Sequence, residues 1–253
     1  APFNTFFLAK NHFRIFKEIM KENFLFYGYF LDGKLIAIMN NGNYSKMPND
    51  AAWVKNLNSS TEFSEKWGSH NGSWYAWGGY KLNKTTDQGQ NWIEPTNTNV
   101  PNMFLAKMLN VNPENGRIYV AGSSLISGQY KMLYTDDEGT SWDSIPIHQA
   151  LGTNWIGQPQ TVLGMISKGD FMELMLVNNA NNSHPDVIMS VDGGQIFQID
   201  TVGLQPNAFG TTAVRTMLFY NDELFMAPNF FDVYRKEGNI AGVKTNQFDE
   251  FNV

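Results

Sequence analysis

Asp87, Asp137 and Asp192 stand 50 and 55 positions apart in a chain of 253 residues, and each keeps the same company. The octets are Thr85-Thr86-Asp87-Gln88-Gly89-Gln90-Asn91-Trp92, Thr135-Asp136-Asp137-Glu138-Gly139-Thr140-Ser141-Trp142 and Ser190-Val191-Asp192-Gly193-Gly194-Gln195-Ile196-Phe197. They share the pattern Ser/Thr-x-Asp-x-Gly-x-x-aromatic. A carboxylate in this setting has two chemistries open to it. As a general acid or base it needs a second carboxylate across a substrate; as a structural acceptor it needs only the backbone N–H groups of a tight turn. The neighbours decide for the turn, because the Gly supplies a backbone conformation costly for other residues and the aromatic ring can tuck back beneath a hairpin. Thr85, Asp87, Gly89 and Trp92, then Thr135, Asp137, Gly139 and Trp142, then Ser190, Asp192, Gly194 and Phe197 are therefore read as structural.

Other reactive groups form no comparable constellation. The chain has 24 Asp and Glu, so a facing carboxylate pair stays open as an alternative; Asp136, Glu138, Asp143 and Asp200 are expected on solvated loops, and no carboxylate stands out as buried in an apolar setting. His12, His70, His148 and His184 are isolated, without the spacing of a metal site, and there is no cysteine to supply a thiolate nucleophile, a disulfide or a zinc ligand. No metal is expected. Nor is a cofactor, because no phosphate-binding loop, dinucleotide fingerprint or nucleophile elbow occurs. The sequons at Asn58, Asn71, Asn83 and Asn182 follow from an Asn-rich composition. With a net charge of -6 and only 18 Lys and Arg in no cluster, the chain is not expected to bind nucleic acid. No run approaches the roughly 18 apolar residues of a membrane span, so no membrane insertion is expected. The start at Ala1-Pro2-Phe3 fits initiator removal or signal cleavage equally.

The elements that must position the octets are short β-strands. Runs such as Phe24 to Phe30, Ser73 to Gly79, Arg117 to Gly122, Phe171 to Val177 and Glu223 to Ala227 are rich in aromatic and β-branched residues and are separated by Gly- and Asn-containing turns. Roughly four strands fit each period, and sheets of that size bury both faces only against copies of themselves. Extending the period gives degenerate copies at Leu35 to Gly42 and Asp232 to Gly238. The tetrads Phe7-Leu8-Ala9-Lys10 and Phe104-Leu105-Ala106-Lys107 precede Asn40 and Asp137 by the same 33 positions, which makes the first an opening strand. His12 to Asn23 also suits one face of a short helix.

These octets resemble the Asp-box family, also called bacterial neuraminidase repeats, found in sialidases, xyloglucan-degrading propellers, sortilin-like receptors and a photosystem assembly factor. The resemblance implies an all-β single domain over 1–253, a β-propeller of about five four-stranded blades at roughly 5–48, 60–97, 102–148, 159–202 and 212–248. It also implies that the box joins the third and fourth strands of a blade, away from the ligand face. Sialidase chemistry would require three arginines around a carboxylate; Arg14, Arg117, Arg215 and Arg235 are present, but the motif around the first is missing. Trp53, Trp155 and Phe209 are expected in linkers after the fourth strands of their blades. In the family those linkers face the ligand, where rings stack on sugars or anchor a protein, or else plug gaps between blades. Trp74 and Trp77 have opposite strand parity, so at least one is expected to face a neighbouring blade. The expectation is a non-catalytic recognition or assembly module with a glycan or protein partner, outside the cell, on its surface or in a virion. The alternative is a glycoside hydrolase or lyase with a carboxylate pair in the central cavity.

Overall fold

The computed structural model describes residues 25–39, 42–47, 49–55, 63–78, 80–127, 130–145, 147, 161–177, 185–200, 216–220, 223–227, 233–236 and 248–251. Every regular element named among them is a strand, and the strands form antiparallel sheets in chain order. The first sheet holds β1 (Leu25–Leu31), β2 (Lys34–Met39), β3 (Gly42–Lys46) and β4 (Val54–Lys55). β5 (Phe63–His70), β6 (Ser73–Gly78) and β7 (Lys81–Thr85) make the second, which a bridge from Lys84 to Ile93 extends by a fourth edge. The third runs from β8 (Phe104–Val111) through β9 (Ile118–Ser124) and β10 (Tyr130–Thr135) to β11 (Asp143–Ile145). The fourth comprises β12 (Thr161–Lys168), β13 (Phe171–Val177), β14 (Pro185–Ser190) and β15 (Gln198–Ile199). The fifth comprises β16 (Thr216–Tyr220), β17 (Glu223–Ala227), β18 (Val233–Lys236) and β19 (Phe248–Phe251).

The first sheet corrects the expected unit at 5–48. All four of its strands lie within 25–55, so the turn between its third and fourth strands follows Lys46, whereas the expected copy at Leu35 to Gly42 falls on β2 and its connection to β3. Phe7 to Lys10 and His12 to Asn23 lie outside the described residues. At the other end, β18 runs through Val233 to Lys236 as a third strand, with the chain beyond it, including Gly238, outside the described residues until β19.

Successive sheets stack face to face, and period-2 alternation assigns each strand residue to one interface. In β6, Trp74 and Ala76 pack with Leu31, Ile36 and Trp67 toward the first sheet, while Tyr75 and Trp77 pack with Phe104 and Trp142 toward the third. In β13, Met172, Leu174 and Leu176 face the third sheet, and Phe171 and Met175 face the fifth. Sheets covered on both faces lose the usual polar alternation, which is why β6 is buried at every residue. The first strands β1, β5, β8, β12 and β16 follow one another in contact. Gly68 permits this: a Cβ there would lie 2.4 Å from a Val111 methyl. β1, β5, β8 and β12 each carry a register shift against their second strands, near the starts of the first strands. Such bulges bend a strand and raise its twist.

Three turns between third and fourth strands are built alike. The hydroxyls of Thr85, Thr135 and Ser190 donate to Asp87, Asp137 and Asp192 at 2.7, 2.7 and 2.6 Å. The same oxygens accept the N–H of Gly89, Gly139 and Gly194 at 3.0, 3.0 and 2.9 Å. The carboxylates accept from the N–H of Asn91, Ser141 and Ile196 at 2.8, 2.8 and 3.0 Å. Each of these glycines has φ between +91° and +94°, in the left-handed region. Register repeats too, with Lys84 opposite Ile93, Tyr134 opposite Asp143 and Met189 opposite Gln198.

Each turn also docks on the sheet before it. A Cβ on Gly139 would lie 2.6 Å from a Leu82 methyl, and one on Gly194 would lie 2.9 Å from an Ile145 methyl. The residue after the Asp reaches back as well: Gln88 accepts from Lys34, and Glu138 accepts from the Tyr75 hydroxyl at 2.7 Å and Lys84 Nζ at 2.5 Å. The chain leaving the second sheet runs along the third sheet's turn, with Asn97 N–H on Gly139 O and Thr98 N–H on Thr140 O. Trp142 completes the joint, its ring meeting Trp77 edge-on at 5.7 Å.

Two outcomes are expected. Trp142→Ala removes a buried ring at the joint between the second and third sheets and should cost about 3–5 kcal/mol in urea unfolding; a loss under about 1 kcal/mol would show the ring to be dispensable. The turn carboxylates of Asp87, Asp137 and Asp192 are held below the ordinary range, the first to about 2, chiefly by the N–H of Asn91 for Asp87 and by Ser141 for Asp137. For Asp87 the depressed value means that its stabilisation is present above pH 3.8 and is lost as the pH falls toward 2, and Asp137 and Asp192 act in the same direction. Thermal melts should therefore show an acid limb in that window that the Asp87→Asn, Asp137→Asn, Asp192→Asn triple variant lacks.

Candidate functional site

An antiparallel meander sorts its connections between two ends. The turns from first to second and from third to fourth strands share one end, and the turns from second to third strands share the other with the linkers that lead to the next sheet. The first end is knitted together. Asp32, in the β1–β2 turn, accepts from Trp74 Nε1 at 2.9 Å and Ser69 Oγ at 3.2 Å on the second sheet. Asn112, after β8, donates to Gly169 O at 2.7 Å and accepts Gly169 N–H at 3.1 Å on the fourth. Gly193 N–H donates to Asp170 O at 2.9 Å.

The linker end presents apolar side chains. Leu125 and Ile126, in the β9–β10 turn, are 52% and 66% exposed, and Met103, in the linker entering β8, is 39% exposed. Leu125 N–H donates to Met103 O at 3.1 Å, and Ser124 Oγ donates to Asn102 O at 3.0 Å, so turn and linker are one unit. Tyr80, in the corresponding β6–β7 turn, is 39% exposed. Its strand joins the same region, since Trp77 Nε1 donates to Phe104 O at 3.2 Å, beside Met103. Tyr80 and Met103 both hold positive φ, +67° and +52°, a conformation bulky residues adopt only under constraint. The signal missed in the sequence was the pair Leu125-Ile126 in a turn, where a polar pair is usual.

The aromatic residues expected at this surface divide. Trp53 is corrected: it does not follow the fourth strand of its sheet but directly precedes β4. Ser45 pairs with Val54 as Lys84 does with Ile93, which gives Trp53 the register of Trp92, Trp142 and Phe197. Asp50 supplies part of the turn's bonding, its carboxylate accepting Met47 N–H at 3.0 Å. The absent Asp-x-Gly spacing hid this turn. Trp155 and Phe209 lie outside the described residues.

Arg117 donates to both oxygens of Asp136, at 2.6 and 2.8 Å, and lies 4.6 Å over the Tyr134 ring, so it is engaged within its own sheet. Arg14 and Arg215 lie outside the described residues, as do His12, His148 and His184. Among the described residues no cluster of three His, Asp or Glu side chains is arranged to hold a metal ion. Two expectations about carboxylates are corrected. Asp200 is buried rather than on a solvated loop, and Glu173 is fully buried against apolar neighbours. Alternation conceals this, because Glu173 sits between Met172 and Leu174 in a run that otherwise reads as core. Both meet Lys236 of the fifth sheet, at 3.5 Å in the case of Glu173 Oε2.

No protein-family model matches the sequence, and no curated protein matches it. Solved structures do. A GH74 xyloglucanase from Xanthomonas campestris is similar at 10% identity and TM-score 0.58, over 88% of this chain and 37% of that one. A GH74 enzyme from Niastella koreensis is similar at 14% identity and TM-score 0.52, over 87% and 36%. The extracellular domain of a protein described as a hybrid two component system from B. thetaiotaomicron is similar at 10% and TM-score 0.57, over 90% and 28%. The chain thus spans about a third of the length of these structures. Likeness at such identities speaks to fold and to no activity: this is an all-β chain of antiparallel meanders whose structural neighbours include β-propellers.

Proposed function

We propose that this chain is a five-bladed propeller of the Asp-box type and a non-catalytic recognition or assembly module, whose linker end receives a glycan or protein partner. Five sheets in succession support the blade number, and matching hydrogen bonds at Asp87, Asp137 and Asp192 support the Asp-box assignment. One observation carries the functional reading: Tyr80, Met103, Leu125 and Ile126 are exposed at one end, two of them on left-handed backbone. Holding a bulky residue there costs on the order of 1–3 kcal/mol, and apolar surface left in water returns none of it. A partner that covers the patch accounts for both.

The aliphatic majority of the patch suits a protein surface, and Tyr80 offers a face to a sugar ring. Trp155 and Phe209 belong to the same reading through their places in the chain between successive sheets. Trp53 leaves it, since its register is that of the turn aromatics. The likeness to a xyloglucanase supports a glycan-related setting, and the likeness to an extracellular domain supports one outside the cell; a place on the cell surface or in a virion is part of the proposal. Against catalysis stands the use of the two carboxylates buried among the described residues, Glu173 and Asp200, which both serve Lys236 between sheets.

The test is binding by the wild type and by Leu125→Asp and Ile126→Asp, on a glycan array and by crosslinking capture from the cells or particles that make the protein. Each variant should bind at least about tenfold more weakly, equivalent to about 1.4 kcal/mol, with an unchanged melting temperature. Undiminished binding would remove the linker end from the reading, and release of a cleaved sugar from the array would overturn it in favour of a hydrolase.

A further inference from the structure

The interface between the fourth and fifth sheets holds a charged group among apolar side chains. On β13, Glu173 takes the alternate position between Phe171 and Met175 and points with them at the fifth sheet. Lys236, the last residue of β18, meets it from the other side with Nζ 3.5 Å from Glu173 Oε2. The same ammonium donates to Asp200, just past β15, and lies 3.5 Å from Met189 Sδ and 5.8 Å from the centre of the Phe171 ring. All three charged residues are buried, Glu173 with no exposure at all. Around them, β12, β14, β16 and β17 present Ile166, Val187, Met189, Met217, Phe219, Leu224 and Met226, and among the described residues Lys236 is the charged group paired with Glu173 and Asp200.

Among the described residues, one cation is thus set against two carboxylates. With both ionised, an uncompensated negative charge sits in an apolar interface, and Glu173 Oε1 accepts no hydrogen bond. With a proton on Glu173, the charge balances as one ammonium and one carboxylate. Burial of an unbalanced charge is the costlier state. We propose that Glu173, Asp200 and Lys236 form a proton-dependent latch that seats the fifth sheet on the fourth in mild acid and loosens that seating as the pH rises toward neutrality.

Desolvation pushes the Glu173 carboxyl up from 4.5 to about 7, against the pull of Lys236. A raised carboxyl means that the docked state binds a proton that the undocked state, with its ordinary Glu, has released. Between those two values docking therefore weakens as the pH rises, and above them it stays at its weaker level. Lys236 is pushed down by the same burial, with Glu173 opposing.

Amide hydrogen exchange of the whole chain, followed by mass spectrometry between pH 5 and 8 and corrected for intrinsic rates, reads the latch directly. Opening measured on peptides spanning β16 to β18 should rise by up to about tenfold per pH unit between 5 and 7, about 100-fold in all, while β8 to β10 serve as an internal reference. Glu173→Gln should flatten the profile, and Asp200→Asn, which leaves Lys236 to Glu173 alone, should move its midpoint to lower pH. Opening that is constant or falls with rising pH in the wild type would overturn the proposal, whichever variants fold. So would a Glu173→Gln protein that follows the wild type, or an Asp200→Asn midpoint that stays in place.

Discussion

A hydroxyl that donates to a carboxylate while accepting a glycine N–H is the interaction on which the rest of this molecule depends. In the turns at Thr85, Thr135 and Ser190 it closes a small ring of hydrogen bonds at the end of each third strand. The ring forces left-handed backbone at the glycine, and the glycine's bare Cα then lets the previous sheet's Leu82 or Ile145 approach closer than any Cβ would allow. One local motif thereby does two jobs: it stops a strand and it docks a sheet. Because the docking always runs backward along the chain, a series of such turns stacks the sheets in order without long-range instructions. Repeat architectures are stabilised in the same nearest-neighbour manner.

The sheets inherit their composition from that stacking. A sheet pressed on both faces needs apolar residues at both parities, and β6 and β13 show it, with Trp74 and Tyr75 or Met172 and Phe171 serving opposite interfaces. Sulfur-containing side chains fill much of the interface between the fourth and fifth sheets, through Met175, Met189, Met217 and Met226. Their flexible thioethers suit irregular gaps. Aromatic rings fill the one between the second and third, where Trp77 meets Phe104 and Trp142 edge-on, each at 5.7 Å. The change from rigid rings to flexible thioethers runs along the chain toward the interface that also holds Lys236.

What was legible in the sequence follows from how local each interaction is. The three octets could be read because every bond of the ring lies within five residues, and strand placement followed from the hairpins they close. The first sheet's turn could not, since Lys46, Asp50 and Trp53 keep the register of the motif without its Ser/Thr-x-Asp-x-Gly core; only the pairing of Ser45 with Val54 reveals it. Trp53 was misread for that reason. The buried state of Asp200 was equally hidden, because it depends on Lys236, 36 residues away, whereas an Asp after a short strand ordinarily meets water. The linker-end surface was anticipated in position but not in membership: Met103, Leu125 and Ile126 come together through Leu125 N–H on Met103 O, a contact no pattern announces.

The two ends of the molecule follow from the same meander and differ in how neighbouring sheets are joined there. At the turn end, polar groups from neighbouring sheets satisfy one another, as Asp32 does with Trp74 and Asn112 with Gly169, and little bonding capacity is left over for a ligand. At the linker end the backbone is satisfied, but the side chains it presents are apolar and exposed. A surface in which the main chain is internally bonded and the side chains are not is already ordered before any partner arrives. Binding there forfeits little conformational entropy, so a modest apolar area suffices for specific contact. On the proposed reading, the acidic turns at one end supply the rigidity that would keep the other end ordered for a partner.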